Sequence, residues 1–135
     1  MMSMTNTTNN TAKAESSAVR FVNLTPHEIV VLDAGNNVVL RVPPSGSVAR
    51  VATREKIIGN INGVPVVTTE YGQVEGLPAP MPGTVFIVSL LVLQALKAQG
   101  VNRGDVVAPN TSPTSLGAVR DEKGQIIGVR SFVTL

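Results

Sequence analysis

The longest apolar stretch of the chain changes its pattern half-way, from that of a strand to that of a helix. It covers residues 83–100 and reads GTVFIVSLLVLQALKAQG. Residues 84–88 are mainly β-branched and aromatic, whereas the residues after Ser89 are mainly Leu, Ala, Gln and Lys, which favour helix. Ser89 can accept a backbone N–H as an N-cap, and Gly100 can take the left-handed conformation that ends a helix. The stretch predicts a buried strand that leads directly into a helix over about residues 89–99.

Most of the circumference of this helix is apolar. Its only polar residues are Gln94, Lys97 and Gln99, so it needs cover on most sides. We expect a small β domain to leave part of the leucine face uncovered, and we predict that this part packs against another subunit of a homo-oligomer.

The rest of the domain reads as short apolar runs separated by turn residues. DAGNN at 33–37 and GNING at 59–63 each lie between such runs, which is typical of β-hairpins. Three prolines at alternate positions, 78, 80 and 82, predict an extended surface loop. No internal repeat of fixed period is visible. Together, the apolar runs and the turns between them predict a mainly β (β+α) fold. The expected architecture is a small antiparallel barrel or sandwich of seven or eight strands with one helix.

The length of 135 residues corresponds to one domain. Residues 1–17 read MMSMTNTTNNTAKAESS and have no apolar period, which predicts a disordered tail. The alternative is an arm that becomes ordered on a neighbouring subunit. Residues 18–135 are predicted to form a single β-rich domain.

Composition excludes several classes of protein. The 11 basic and 9 acidic residues are spread along the chain, so we expect no nucleic-acid polymer and no membrane as a partner. An aromatic content of 3% argues against a stacking platform for single strands. The absence of cysteine excludes disulfides and thiol catalysis. With no long apolar span and no secretory signal pattern, the expected location is the cytoplasm.

Residues for catalysis are sparse. His27 is the only histidine, which excludes histidine-based metal clusters. It follows a proline in a predicted turn. There it can either make a local hydrogen bond or act as a catalytic base beside Glu28 or Asp105. No serine lies in a G-x-S-x-G elbow, and Asp121 begins a charged hairpin tip rather than a specified magnesium site. We therefore predict no catalytic residue, no metal and no cofactor.

Arginine is the residue type that points to a ligand. The planar guanidinium suits phosphate and carboxylate anions, to which it can donate two parallel hydrogen bonds. A single exposed arginine reads as solvated surface, but two or three that converge on a concavity make an anion pocket. Five arginines are placed at predicted strand ends or turns: Arg50, Arg54, Arg103, Arg120 and Arg130.

Five motifs in order resemble a family of small proteins encoded by bacteriophages, prophages and bacteria. They are NLTPHEIVVL, VPPSGSVARV, GVPVVTTEYGQVEGLPAPMPGTVFIVSLLV, RGDVVAPNT and AVRDEKGQIIGVRSF, and they span nearly all of residues 21–132. The family looks most similar to the Thoeris anti-defence sponges, oligomers that sequester cyclic ADP-ribose isomers without degrading them. The resemblance implies arginines against the phosphates and an aromatic residue, Phe86 or Tyr71, against the adenine.

Three functions follow as hypotheses. The first is a phage-encoded, non-enzymatic protein in the host cytoplasm that sequesters a phosphate-bearing cyclic nucleotide immune signal. Its expected ligand-binding residues are Arg50, Arg54, Phe86, Arg103, Arg120 and Arg130. The second is a phage structural, decoration or assembly protein. The third is a small nucleotide-processing enzyme that uses His27 with Asp105 or Asp121.

Overall fold

The computed structural model describes residues 19–135, and the tail predicted over residues 1–17 lies outside them. The described residues form ten strands and one helix. These are β1 (Arg20–Asn23), β2 (Ile29–Leu32), β3 (Val38–Val42), β4 (Arg50–Ile61), β5 (Val64–Glu75), β6 (Thr84–Ile87), α1 (Leu90–Ala98), β7 (Val106–Pro109), β8 (Ala118–Arg120), β9 (Ile126–Val129) and β10 (Phe132–Thr134). The predicted class, mainly β with one helix, is confirmed.

The ten strands belong to three sheets, and none of these sheets closes into a barrel. Their strand orders are β10-β7-β6-β1, β3-β2-β9-β8 and β4-β5. Pairing is mixed, because β6 runs parallel to both β1 and β7, and β9 runs parallel to β2. Parallel neighbours need a crossover connection, and α1 supplies the one between β6 and β7. The antiparallel pairing expected from the hairpin pattern is therefore found beside parallel pairs.

The predicted strand-to-helix transition is confirmed. The Ser89 hydroxyl accepts the backbone N–H of Val92 at 3.2 Å, which caps the start of α1. Gly100 follows the helix with a φ of 74°, in the left-handed region that favours glycine. The N–H of Val101 then donates to the carbonyl of Leu96 at 3.0 Å, as in a Schellman motif. Both ends of the helix are set by residues within one turn of it.

One face of α1 forms the centre of the core. The buried cluster is Leu24, Ala49, Phe86, Val88, Val92, Leu93, Leu96, Val106 and Ala108. At the start of the helix, Leu90 and Leu91 keep 39% and 45% of their surface exposed. The expectation that one copy leaves part of the leucine face uncovered is met, and its packing against another subunit stays a prediction.

The strands β4 and β5 form a long two-stranded arm, defined here as residues 50–75. Each strand has 12 residues, which corresponds to a length of about 40 Å. Asn62 and Gly63 make the turn with φ of 51° and 83°, as a tight hairpin requires. At the base of the arm Val51 and Val74 pack against the core. The sequence predicted the turn of this hairpin, and the structure adds its length and its exposure.

Two parts of the chain share a strand-turn-hairpin plan. NLTP at residues 23–26 follows β1, and NTSP at residues 110–113 follows β7. In each, the Asn Oδ1 accepts hydrogen bonds from the backbone N–H and the hydroxyl of the residue two positions later. The distances are 2.9 and 2.7 Å in the first and 3.2 and 2.6 Å in the second. Each turn leads into a hairpin of the β3-β2-β9-β8 sheet.

The tips of these two hairpins also match. They are DAGNN at 33–37 and DEKGQ at 121–125. In each, one aspartate oxygen accepts the N–H groups two and four residues later, at 2.9 and 2.9 Å in the first tip and 2.9 and 3.0 Å in the second. The fourth residues, Asn36 and Gly124, have positive φ. Because the asparagine and the aspartate are 10 residues apart in one unit and 11 in the other, the repeat has no fixed period.

Candidate functional site

The NLTPH motif is built around a buried asparagine. Asn23 has no exposed surface, and its side-chain N–H groups donate to the carbonyls of His27 at 2.7 Å and Val42 at 3.0 Å. Its oxygen accepts the N–H and hydroxyl of Thr25. These four bonds satisfy the whole amide and tie the turn after β1 to β3. This role was not predicted from the sequence, although an asparagine two residues before a threonine is typical of such turns.

Arg103 is part of the folded body. Its guanidinium donates two parallel hydrogen bonds to Asp105, at 3.0 and 2.8 Å, and a third to the carbonyl of Pro78 at 3.0 Å. It also lies 5.9 Å from the centroid of the Phe86 ring. With 17% of its side chain exposed, Arg103 joins the proline-rich loop to the segment that leads into β7.

The pairing of Arg103 with Asp105 predicts a dependence of stability on pH. The hydrogen bonds from Arg103 hold the pKa of the Asp105 carboxyl below its usual range. A carboxyl whose pKa is lowered by folding stabilises the protein above its unfolded pKa, near about 4, and this contribution is lost as the pH falls through the folded value. We expect the native protein to be more stable than an Asp105→Asn variant near neutral pH, and the difference to shrink below about pH 4.

Thermal unfolding of both proteins from neutral pH down to about pH 2 checks this prediction. The pKa of Asp33 is also lowered, mainly by the backbone N–H of Asn37, but Asp33 is common to both proteins and cancels in the difference. A stability difference that stays constant over the whole range would contradict the prediction.

Two other arginines hold hairpin tips. Arg120 donates to the carbonyl of Gly124 at 2.6 Å, within its own hairpin. Arg130 donates to the carbonyl of Asp33 and, at 2.7 Å, to the side-chain oxygen of Asn36, so it joins β9 to the other hairpin. Both guanidinium groups therefore stabilise hairpin turns of the β3-β2-β9-β8 sheet.

Arg50 and Arg54 lie on one strand of the arm, four residues apart, which places them on the same side of β4 at a separation of about 13 Å. Across the hairpin, Arg54 pairs with Glu70, to which its Nε donates at 3.0 Å. Arg50 lies opposite Glu75 in the register, but within residues 19–135 its side chain makes no hydrogen bond or ion pair. Arg50 is thus the arginine of this set whose guanidinium remains available to a ligand within the described part of the chain.

Two depressions are lined by consecutive parts of β4. The first, of about 250 Å³, has Arg50, Leu91 and the N-cap Ser89 in its lining. The second, of about 230 Å³, is lined by Arg54, Tyr71 and their neighbours on β4 and β5. We call the two together the arm-base site. Each is smaller than the roughly 300–1,000 Å³ of ordinary ligand pockets, so one copy presents part of a site rather than an enclosed cavity.

The two aromatic residues implied by the resemblance are placed very differently. Phe86 is fully buried in the core, where its ring cannot contact a ligand without opening the fold. Tyr71 is half-buried in the second depression of the arm-base site. Of the predicted ligand residues, Arg50 and Arg54 share one side of β4, whereas Tyr71, opposite Thr53 in the register, is on the other side of the hairpin. The others lie in the core or at other turns: Phe86, Arg103, Arg120 and Arg130.

The structure does not assemble the catalytic group considered for His27. Its carbonyl completes the turn after β1, and the residue lies at a depression whose lining contains Glu28 but neither Asp105 nor Asp121. Glu28 is paired with Arg41 at 3.0 Å. Asp105 is held by Arg103 instead. In residues 19–135 no three His, Asp or Glu side chains are grouped so that they could hold a metal ion.

Over the same described residues, no helix is long and apolar enough to cross a membrane. Comparisons with protein-family models, with curated proteins and with solved structures find no match to this chain.

Proposed function

We propose that the protein is a non-catalytic binding protein that captures a phosphate-bearing, cyclic nucleotide-type ligand at the arm-base site. The observation that carries the proposal is the position of Arg50, a guanidinium with no partner among residues 19–135, beside an apolar depression and on the same strand side as Arg54. The motif resemblance to phage anti-defence sponges supports the ligand class and the role, which is sequestration of an immune signal in the host cell.

The chemistry of the arm-base site fits such a ligand. A phosphate taken out of water needs charge-assisted donors, which Arg50 can supply. The apolar wall at Leu91 can cover a ribose. Glu75, opposite Arg50 in the register, opposes the binding of an anion. Sequestration needs affinity rather than turnover, so it requires no further catalytic residue.

A thermal-shift experiment tests the proposal. We expect the melting temperature of the native protein to rise with at least one member of a panel of cyclic ADP-ribose isomers and cyclic oligonucleotides. Arg50→Ala should raise the dissociation constant of that ligand about tenfold or more, because a charge-assisted hydrogen bond to phosphate is lost. Glu75→Gln should strengthen binding, because it removes the opposing charge. Heating the complex should release the ligand unchanged.

Arg120→Ala is the matched control, since Arg120 is exposed and contacts only its own hairpin tip. It should bind as tightly as the native protein. The proposal fails if no member of the panel shifts the melting temperature, or if Arg50→Ala and Arg120→Ala bind equally well.

A second function, an assembly or decoration protein of a phage particle, is favoured by a different observation. The arm exposes apolar side chains along its far half, as a docking element does. Mass spectrometry of purified virions separates the two proposals. A decoration protein is found in the particle with its arm protected from protease, whereas a sequestering protein stays in the lysate.

A further inference from the structure

The far half of the arm is an exposed apolar surface. Ile57 and Ile61 keep 68% and 66% of their surface exposed, and Ile58, Val64 and Val67 are exposed as well. Ile57 lies opposite Val67 on one face of the hairpin, and Ile61 lies opposite Val64 on the other, because the register shifts by one residue between Ile57 and Gly59. The far half of the arm is therefore apolar on both faces. No charged residue occurs in residues 57–67. Contiguous apolar surface of this kind on a folded protein marks an interaction site.

The arm also lacks the support that a hairpin of its length needs. The β4-β5 sheet has only two strands, so both outer edges keep unpaired backbone groups. A two-stranded hairpin is marginally stable in water unless a third strand or a packed layer covers it. In one copy the core supports only the base, at Val51 and Val74. Residues 19–135 of the same chain leave the far half uncovered.

The body of the protein carries a surface that can provide this cover. Two depressions, of about 490 and 320 Å³, share Pro109 and Thr111 in their linings and so form one continuous trough. Apolar side chains line both parts of it, among them Leu90, Ile126 and Ile127, which are exposed. The charged residue in the lining is Glu28, which is paired with Arg41 at 3.0 Å. An uncharged arm can therefore enter the trough without burying an unpaired charge.

The dimensions favour a reciprocal contact between two copies. The exposed part of the arm, about ten residues long, reaches roughly 33 Å, and a body of about 90 residues has a radius of gyration near 12 Å. The apolar far half of the arm has about five residues in each strand and is roughly 17 Å long, so its two faces together offer only about 300 Å². This area is less than the roughly 800 Å² that each partner buries in a standard interface. If each copy supplies both an arm and a trough, the buried area doubles, and a two-fold axis closes the assembly.

We propose that two copies of this chain associate about a two-fold axis, each laying the apolar half of its arm, residues 57–67, in the trough of the other. One chain carries both complementary surfaces, which is the condition for a closed dimer of identical subunits. The proposal depends on the arm and the trough and not on the arm-base site, so it stands or falls separately from ligand binding.

Disulfide trapping tests the contact, because the native chain has no cysteine. An Ile61→Cys variant places a thiol on the arm, and an Ile127→Cys variant places one in the trough. We expect a mixture of the two to form a covalent dimer of one copy of each on mild oxidation. Val39→Cys is the control, because Val39 is exposed on β3 outside the trough and should not link to the arm. Failure of the mixture to link, or equal linking of Ile61→Cys to itself, would overturn the proposal.

The oligomeric state gives a second readout that needs no cysteine. Light scattering after size-exclusion chromatography should find the native protein as a dimer, whereas Ile57→Asp and Ile127→Asp should each raise the dissociation constant at least about tenfold. Val39→Asp should leave the dimer intact, and circular dichroism checks that each variant is folded. A native protein that stays monomeric at all concentrations would show that the arm serves a different partner. A dimer weakened by Ile57→Asp but not by Ile127→Asp would show that the arms pair with each other, which also contradicts the proposal.

Discussion

Replacement of Asn23 with alanine is expected to lower the free energy of unfolding by about 3 kcal/mol. The side chain is fully buried and makes four hydrogen bonds. Its loss leaves the carbonyl of Val42 and the N–H of Thr25 without these partners in a buried environment, whereas the Thr25 hydroxyl can still donate to the carbonyl of His27 at 3.0 Å. An unsatisfied buried polar group costs about 1–3 kcal/mol, which makes this network more costly to break than an exposed turn.

Urea denaturation measures the effect as a lower midpoint at an unchanged slope. Asn37→Ala is the matched control, because Asn37 lies in an exposed hairpin tip and its side chain makes only 3.3 Å contacts with Asp33. The control should lose less than about 1 kcal/mol. If both variants lose the same stability, the buried network is not what the NLTPH motif contributes to the fold.

Replacement of Phe86 with alanine should cost about 4 kcal/mol, because a fully buried ring in a packed core leaves a cavity. The Arg103 guanidinium would also lose its contact with the ring. Phe86→Leu keeps most of the volume and should cost less than about 1.5 kcal/mol. Thermal unfolding of the two variants measures both values.

The pair of variants also decides between two roles for this ring. Because Phe86 belongs to the core, a Phe86→Leu variant should keep the ligand-induced thermal shift expected of the native protein. A Phe86→Leu variant that melts near the native temperature but has lost the ligand response would place the ring in the ligand site, as the motif resemblance implies.

Local features of the fold could be predicted because neighbouring residues decide them. The cap at Ser89, the end of the helix at Gly100 and the turn at Asn62 each depend on side-chain size and hydrogen bonding within a few positions. The barrel was the wrong part of the prediction. Whether a sheet closes depends on which distant strands pair, and the parallel pairing of β1 with β6 joins residues more than 60 positions apart.

The sequence indicated which residue type would form the candidate site, but it did not indicate where in the fold that site would lie. Arginine is a reasonable sign of an anion site, yet hydrogen-bond partners distant in the sequence decide whether a given guanidinium is available. Arg130 reaches the tip of the other hairpin, 94 residues away, and Arg103 reaches Pro78 in the loop before β6. No spacing within the sequence distinguishes these two from Arg50.

By itself the sequence determined the mainly β class, the strand that leads into α1 and the hairpin turns, because each follows from local conformational preference and apolar period. Only the tertiary structure decided three further properties. Asn23 and Phe86 are buried, and three of the five arginines donate hydrogen bonds to backbone carbonyls within the protein. The arm and the trough are both exposed on the same molecule. These depend on contacts between distant residues, where packing and charge pairing outweigh local preference.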